Sequence, residues 1–178
     1  DGTTRLRLGG RSVHQLCGVA SFAERAVIPA GAVIKVPADV PLDTVCLVGC
    51  GVTTGTGAVF NTAGVEAGTS VAVIGCGGVG LSIVQAARIA EAATIIAIDP
   101  VAEKRQLALE LGATHTIDPS CEDVAKQVRA MTMMGVHYAF EAIGTLATIE
   151  QAWALVRPTG RVVVVGMPAV KDEVRLRV

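Results

Sequence analysis

The sequence predicts an α/β fold built on a doubly wound parallel sheet, and three observations carry that prediction. After Gly68, short apolar runs alternate with segments of helix length, the signature of strands joined by crossover helices. Those runs are nearly continuous rather than alternating, as expected for strands covered on both faces. The chain has 178 residues, of which 51% are hydrophobic, only 17% charged and 20 glycine, enough for one well-buried domain with part of another and many tight turns.

The elements follow in order. Up to about Gly49 the chain reads as short strands and turns: SFAERAVI alternates loosely, and PAGAVIKVPADVP is broken by Pro29, Gly31, Pro37 and Pro41. This stretch has too little apolar material for a core of its own and reads as a piece of a β-rich domain. A linking helix is expected from about Thr54 to Ala63, stopped by Gly64. SVAVIG is then a strand, VGLSIVQAARIAEA a helix with apolar residues on more than one face, and TIIAID the second strand. VAEKRQLALELG is a helix stopped by Gly112, THTI a short strand, CEDVAKQVRAM a helix and VHYAFEAIG a strand running into a turn. TIEQAWALVR is a helix ended by Pro158 and Gly160, and RVVVVG is the fifth strand. Right-handed crossovers leave a doubly wound sheet as the topology.

Bulk properties exclude some functions. A formal net charge of -1 gives no general attraction to nucleic acid or an anionic membrane. Arg5, Arg7 and Arg11 form a local positive cluster that reads as structural or surface. No apolar run approaches the length of a membrane span, and the polar start DGTTRLRLGGR is not a signal peptide. The cysteines at 17, 46, 50, 76 and 121 show no CxxC pair or disulfide framework, so a cytoplasmic location is expected.

Gly75-Cys76-Gly77-Gly78-Val79-Gly80 satisfies G-x-G-x-x-G directly between a strand and a helix. Gly75 permits the tight turn, Gly77 lets the backbone approach a pyrophosphate, and Gly80 lets helix and strand pack closely. Gly78 and Val79 begin the helix, whose free N–H groups and dipole favour an anion. Asp99 closes the second strand, about 20 residues further on as a ribose-binding acid should. Its carboxylate can accept both hydroxyls of an adenosine ribose and would repel a 2'-phosphate, so NAD is expected over NADP. A structural Rossmann domain, or one holding another adenosyl ligand such as S-adenosylmethionine, remains open. Lys104, one turn into the next helix, is either a surface lysine or within reach of the ribose. Glu141, Ala142, Ile143 and Gly144 end the fourth strand where a dinucleotide would cross the sheet. Met131, Met133 and Met134 read as a helix end filling a core gap, and His137 and Tyr138 as packing residues at least as readily as ligands.

Taken alone, Cys50 in CLVGCG reads as a buried small residue more readily than as a metal ligand. Cys46, in VCLV, reads as core. Cys17, Cys76 and Cys121 offer no metal spacing, His14, His115 and His137 are scattered, and G-x-S-x-G is absent.

With these residues in hand, the sequence resembles the zinc-dependent medium-chain alcohol dehydrogenases, especially the branch of glutathione- or mycothiol-dependent formaldehyde dehydrogenases. The matching stretches are DGTTRL at 1–6, FAERAVI at 22–28, VCLVGCGVTTGTGAVFNTAGVEAGTSVAVIGCGGVG at 45–80, IIAID at 95–99, ELGAT at 110–114 and FEAIG at 140–144. The resemblance implies part of a GroES-like catalytic domain over 1–49 and an NAD-binding Rossmann domain over 50–178, with five strands of an order 3-2-1-4-5-6. It implies that Cys50 is a catalytic-zinc ligand, that Thr54 and Val79 line the nicotinamide, that Asp99 and Lys104 hold the ribose, and that Ile143 and Gly144 lie along the coenzyme cleft. The implied activity is hydride transfer between NAD and an alcohol or a thiol–aldehyde adduct, in a homo-oligomer. The family's other zinc ligands, its structural-zinc lobe and the sixth strand match nothing in this sequence, so the chain reads as an internal portion of such a protein, without zinc catalysis by itself. The alternative is a catalytically silent nucleotide-binding or scaffold domain.

Overall fold

The chain divides into two compact units, 1–41 and 42–178, in a computed structural model that describes residues 4–15, 21 and 23–175. In the first unit, β1 (Leu6–Leu8) and β2 (Arg11–Val13) form an antiparallel hairpin. Its turn is Gly9-Gly10, with φ of 55° and 81°, the glycine-favoured conformation of a two-residue hairpin loop. A single 3-10 turn at Ala30–Ala32 follows. No described residue of this unit is buried, in keeping with its shortage of apolar material. Cys17 and Phe22 lie outside the described residues.

The second unit opens with α1 (Leu42–Ala63), a helical stretch of 22 residues. It starts earlier than expected: residues 42–49 are helical, not strand and turn. Pro41 stands immediately before the first turn, where its fixed φ favours a helix start. Two wider π-type segments, Val48–Val52 and Ala58–Ala63, interrupt the α geometry. With a hydropathy of 1.3, α1 is also long and apolar enough to cross a membrane, contrary to the sequence expectation. In the structure Gly55, Ala58, Val59 and Ala63 are its buried residues, and most of the helix is not buried.

The sheet then builds as β3 (Ser70–Ile74), α2 (Gly78–Ile89), β4 (Thr94–Ile98), α3 (Ala102–Leu111), β5 (His115–Ile117), α4 (Val124–Thr132), β6 (Val136–Glu141), α5 (Leu146–Leu155) and β7 (Val156–Val164). All four pairings are parallel, in the order β5-β4-β3-β6-β7, which is 3-2-1-4-5 by sheet strand and meets the expectation of a doubly wound sheet. The chain reverses direction across the sheet between β3 and β6.

Successive residues of β3 divide between the faces. Val71 and Val73 join Ile83, Val84, Ala87 and Ala108 under α1, α2 and α3. Ala72 and Ile74 join Ile96, Ile98, Val128 and Leu155 under α4 and α5. Side chains such as Phe140, Ile74 and Ile96 are fully buried, each stabilising the fold by roughly 1.5–3 kcal/mol. This two-sided burial is why the strands lack alternation.

Two boundaries and one packing expectation need correction. Helix α4 begins at Val124 rather than Cys121, because Asp123 accepts the Lys126 N–H and caps it. Helix α5 ends at Leu155, before Arg157: the residue preceding Pro158 is disfavoured in a helix, and Val156 already pairs with Val136. Met133 and Met134 are exposed, at 88% and 65%, and fill no core gap.

Candidate functional site

The carboxyl ends of β4, β3 and β6 bring three loops side by side, at the point where the strand order reverses. In a doubly wound sheet this crevice is where ligands bind. The central loop is the glycine turn. Gly75 has φ of 93°, and its N–H donates to the Ile98 carbonyl at 2.8 Å. A Cβ on Gly80 would overlap the Gly75 carbonyl oxygen, while one on Gly75 would lie 2.6 Å from Ile143 Cγ1. Strand, turn and helix can approach this closely only with glycine at both places. At Gly77 and Gly78, by contrast, a Cβ would meet nothing within 4 Å. Gly77 is the N-cap of α2, so open space lies beside the helix's first N–H groups.

Asp99, 5% exposed, follows β4 next to this turn. Its Oδ2 accepts the Cys76 N–H at 2.8 Å and its Oδ1 the Val101 N–H at 2.9 Å. Each oxygen keeps a lone pair, so the carboxylate is fixed and still able to accept from a ligand. Burial and then the negative charge of Asp99 push the Cys76 thiol up to about 12, so the cysteine inside the glycine turn stays protonated. Lys104 is exposed on α3. Its neighbour Arg105, unremarked in the sequence, donates to the Asp99 carbonyl at 2.7 Å and pairs with Asp118 at 3.1 Å.

The third loop depends on a residue whose role the sequence pattern did not disclose. Glu141 is fully buried, and its Oε1 accepts from Ile143 N–H at 2.9 Å, Gly144 N–H at 2.8 Å and Thr148 hydroxyl at 2.8 Å. One carboxylate oxygen thereby shapes the turn that Ile143 and Gly144 form and ties it to the first turn of α5. Gly144, at φ of 89°, packs backbone to backbone against Gly166 and Met167.

Cys50 lies in the first π-type segment of α1 and is exposed, as is Cys46, so neither is core. Both line a cavity of about 360 Å³ with Gly51, Gly78, Leu81 and Ser82. A Cβ on Gly51 would stand 3.8 Å from the Gly78 carbonyl carbon, placing this segment beside the start of α2. The structure therefore brings Cys50, Gly78 and the glycine turn together. Thr54 is exposed one helical turn on, lining a separate open cavity with Val163, Val164 and Val165. Among the described residues no three His, Cys, Asp or Glu side chains come together. A tetrahedral catalytic zinc needs three protein ligands, so the described residues do not hold one. Ser70 and His137 lie at the opposite, amino end of the sheet.

A family model described as zinc-binding dehydrogenase matches residues 78–178. The chain belongs to the zinc-binding dehydrogenase family. It is 41% identical over 180 residues to an S-(hydroxymethyl)glutathione dehydrogenase of Synechocystis sp., covering 99% of this chain and 49% of that protein. Among solved structures, an alcohol dehydrogenase zinc-binding domain protein from Burkholderia ambifaria is similar with a TM-score of 0.78 and 44% identity, over 81% of this chain and 39% of that one. A zinc-binding dehydrogenase from Sinorhizobium meliloti 1021, bound to NADP, gives a TM-score of 0.68 and 34% identity, over 72% of this chain and 38% of that one. The chain spans about half the length of the curated relatives it matches. Family and fold together support binding of a nicotinamide dinucleotide by this zinc-binding dehydrogenase chain.

Proposed function

We propose that this chain is the coenzyme-binding portion of an oxidoreductase that transfers hydride between NAD and an alcohol or a thiol–aldehyde adduct. Asp99 carries the reading: a fixed, nearly buried carboxylate beside an open glycine turn suits a 2'-hydroxyl and opposes a 2'-phosphate. The pyrophosphate would lie against the N–H groups of Gly78, Val79 and Gly80, with Gly75 and Gly77 giving it room. Lys104 would reach the ribose, and Ile143 and Gly144 would line the cleft further along. Thr54 and Val79 would set the face and distance of the nicotinamide, where an error of 1 Å costs on the order of a hundredfold in rate. When bound, NAD supplies the hydride acceptor and its reduced form the donor.

Cys50 would supply one thiolate to a zinc site completed by residues beyond the described set. The functional boundary falls at Gly49 and Cys50, with residues 1–49 belonging to a catalytic domain. The S-(hydroxymethyl)glutathione dehydrogenase resemblance supports a small-molecule substrate of the thiol–aldehyde type. A cytoplasmic, homo-oligomeric protein without nucleic-acid or membrane partners completes the proposal.

NADH titration of the wild type against Asp99→Ala tests it. Loss of hydrogen bonds to a charged acceptor should weaken NADH about tenfold or more, while NADPH gains relative to NADH. Equal NADH affinities would overturn the ribose assignment, and absence of NADH binding in both would favour the silent-scaffold alternative.

A further inference from the structure

The amino end of the sheet, opposite the glycine turn, holds a polar cavity of about 140 Å³. It exists because β7 leaves register there. Val136 pairs with Val156 and Tyr138 with Arg161, so residues 157–160 of β7 loop outward opposite the single residue His137. Within that loop Thr159 has φ of 67°, a conformation that glycine would adopt at lower cost. Thr69, His137, Arg157, Thr159 and Arg161 line the cavity, with Glu66 as the one acidic neighbour.

The lining has an excess of donors. Arg157 Nε is buried without a hydrogen-bond partner, and a guanidinium cannot relieve this by losing its proton. Arg161 is held in place by donating Nη1 to the Ala63 carbonyl at 2.6 Å. The Ser70 backbone N–H donates to His137 Nδ1 at 3.1 Å. Since an amide N–H can only donate, Nδ1 is the acceptor and the ring hydrogen of a neutral His137 sits on Nε2. Among the described residues neither arginine forms an ion pair with Glu66. His137 senses the resulting field: burial, and then the charge of Arg157, lower its pKa, against an opposing effect of Glu66.

We propose that this cavity binds a small free oxyanion of the phosphate or sulfate type, held by Arg157, Arg161, Thr159 and His137. The volume is well below the roughly 300–1,000 Å³ of sites for drug-sized ligands, enough to enclose a tetrahedral oxyanion but not a whole nucleotide. A tetrahedral anion would offer acceptors to the guanidinium groups of Arg157 and Arg161, to the Thr159 hydroxyl and to the Nε2–H of His137, all of them residues that line the cavity.

Isothermal titration of the protein with inorganic phosphate tests the site. One saturable site is expected, weakened about tenfold or more in Arg157→Gln, where charge-assisted hydrogen bonds are lost. Glu66 is exposed, so Glu66→Gln should fold normally and tighten binding about threefold by removing a like charge near the anion. NADH should not displace the phosphate; displacement would assign the ion to the glycine turn and overturn the proposal. Adenosine monophosphate should not compete either, and competition would overturn the assignment of a free ion. Unchanged phosphate affinity in both Arg157→Gln and Glu66→Gln would also overturn it.

Discussion

Glu141 shows how much one buried atom can organise. Its Oε1 satisfies two backbone N–H groups and a hydroxyl, so Glu141→Ala should lower stability by about 1–3 kcal/mol by leaving these part-buried donors without their shared acceptor. Glu141→Gln keeps an acceptor and should lose less; urea denaturation measures both. Cys76 is buried, whereas Cys46, Cys50 and Cys121 are exposed. With its thiol pushed up to about 12 by burial and Asp99, Cys76 should resist iodoacetamide at neutral pH while exposed Cys46, Cys50 and Cys121 react, as read by peptide mass spectrometry. His137 gives a pH signature. Its folded pKa lies below the unfolded value, so the native state binds the proton less well and loses stability as pH falls below about 6.5. The melting temperature of the wild type should drop relative to His137→Asn between about pH 7.5 and pH 5. At this scale the glycines and Asp99 were legible, because their spacing is local in sequence. The Glu141 latch and the Ser70, His137 and Arg157 cluster were not, since they arise only where distant strands meet.

At the scale of elements, the contact between α1 and α2 is the most exposed to test. A Cβ on Gly55 would lie 2.6 Å from Ser82 Cβ and from the Val79 carbonyl. Gly55→Ala should therefore push the helices apart and destabilise by about 1–3 kcal/mol, as overpacking does, again read by urea denaturation. Because Gly55 abuts Val79, that variant should also weaken NADH. The parallel strands and crossover helices were readable from their apolar runs and from stops such as Gly112. Helix α1 was only half readable: valine, threonine and glycine, poor helix formers, dominate residues 48–57, and packing against α2 overrides their preference. The end of α5 was misplaced for a related reason, since strand pairing at Val156 takes over before Pro158 can act as the stop.

For the whole molecule, surface composition matters more than any single contact. Leu42, Leu47, Val27 and Ile34 are 75%, 62%, 90% and 89% exposed, and a net charge of -1 provides little repulsion between copies. Exposed apolar residues on this scale favour association. Sedimentation at rising concentration should give an average mass above the 18.2 kDa of one chain.

The strand order also fixes when the glycine turn can take shape. β3, which carries the turn, pairs on one side with β4 and on the other with β6, where Val71 meets Tyr138. During synthesis at about 5–20 residues per second, β3 therefore waits several seconds for its second neighbour. Until β6 emerges, Ile143 is not there to close over Gly75, and the crevice has only one wall. A nascent chain ending short of Val136 would hold the whole fingerprint in its sequence and no finished site in its fold.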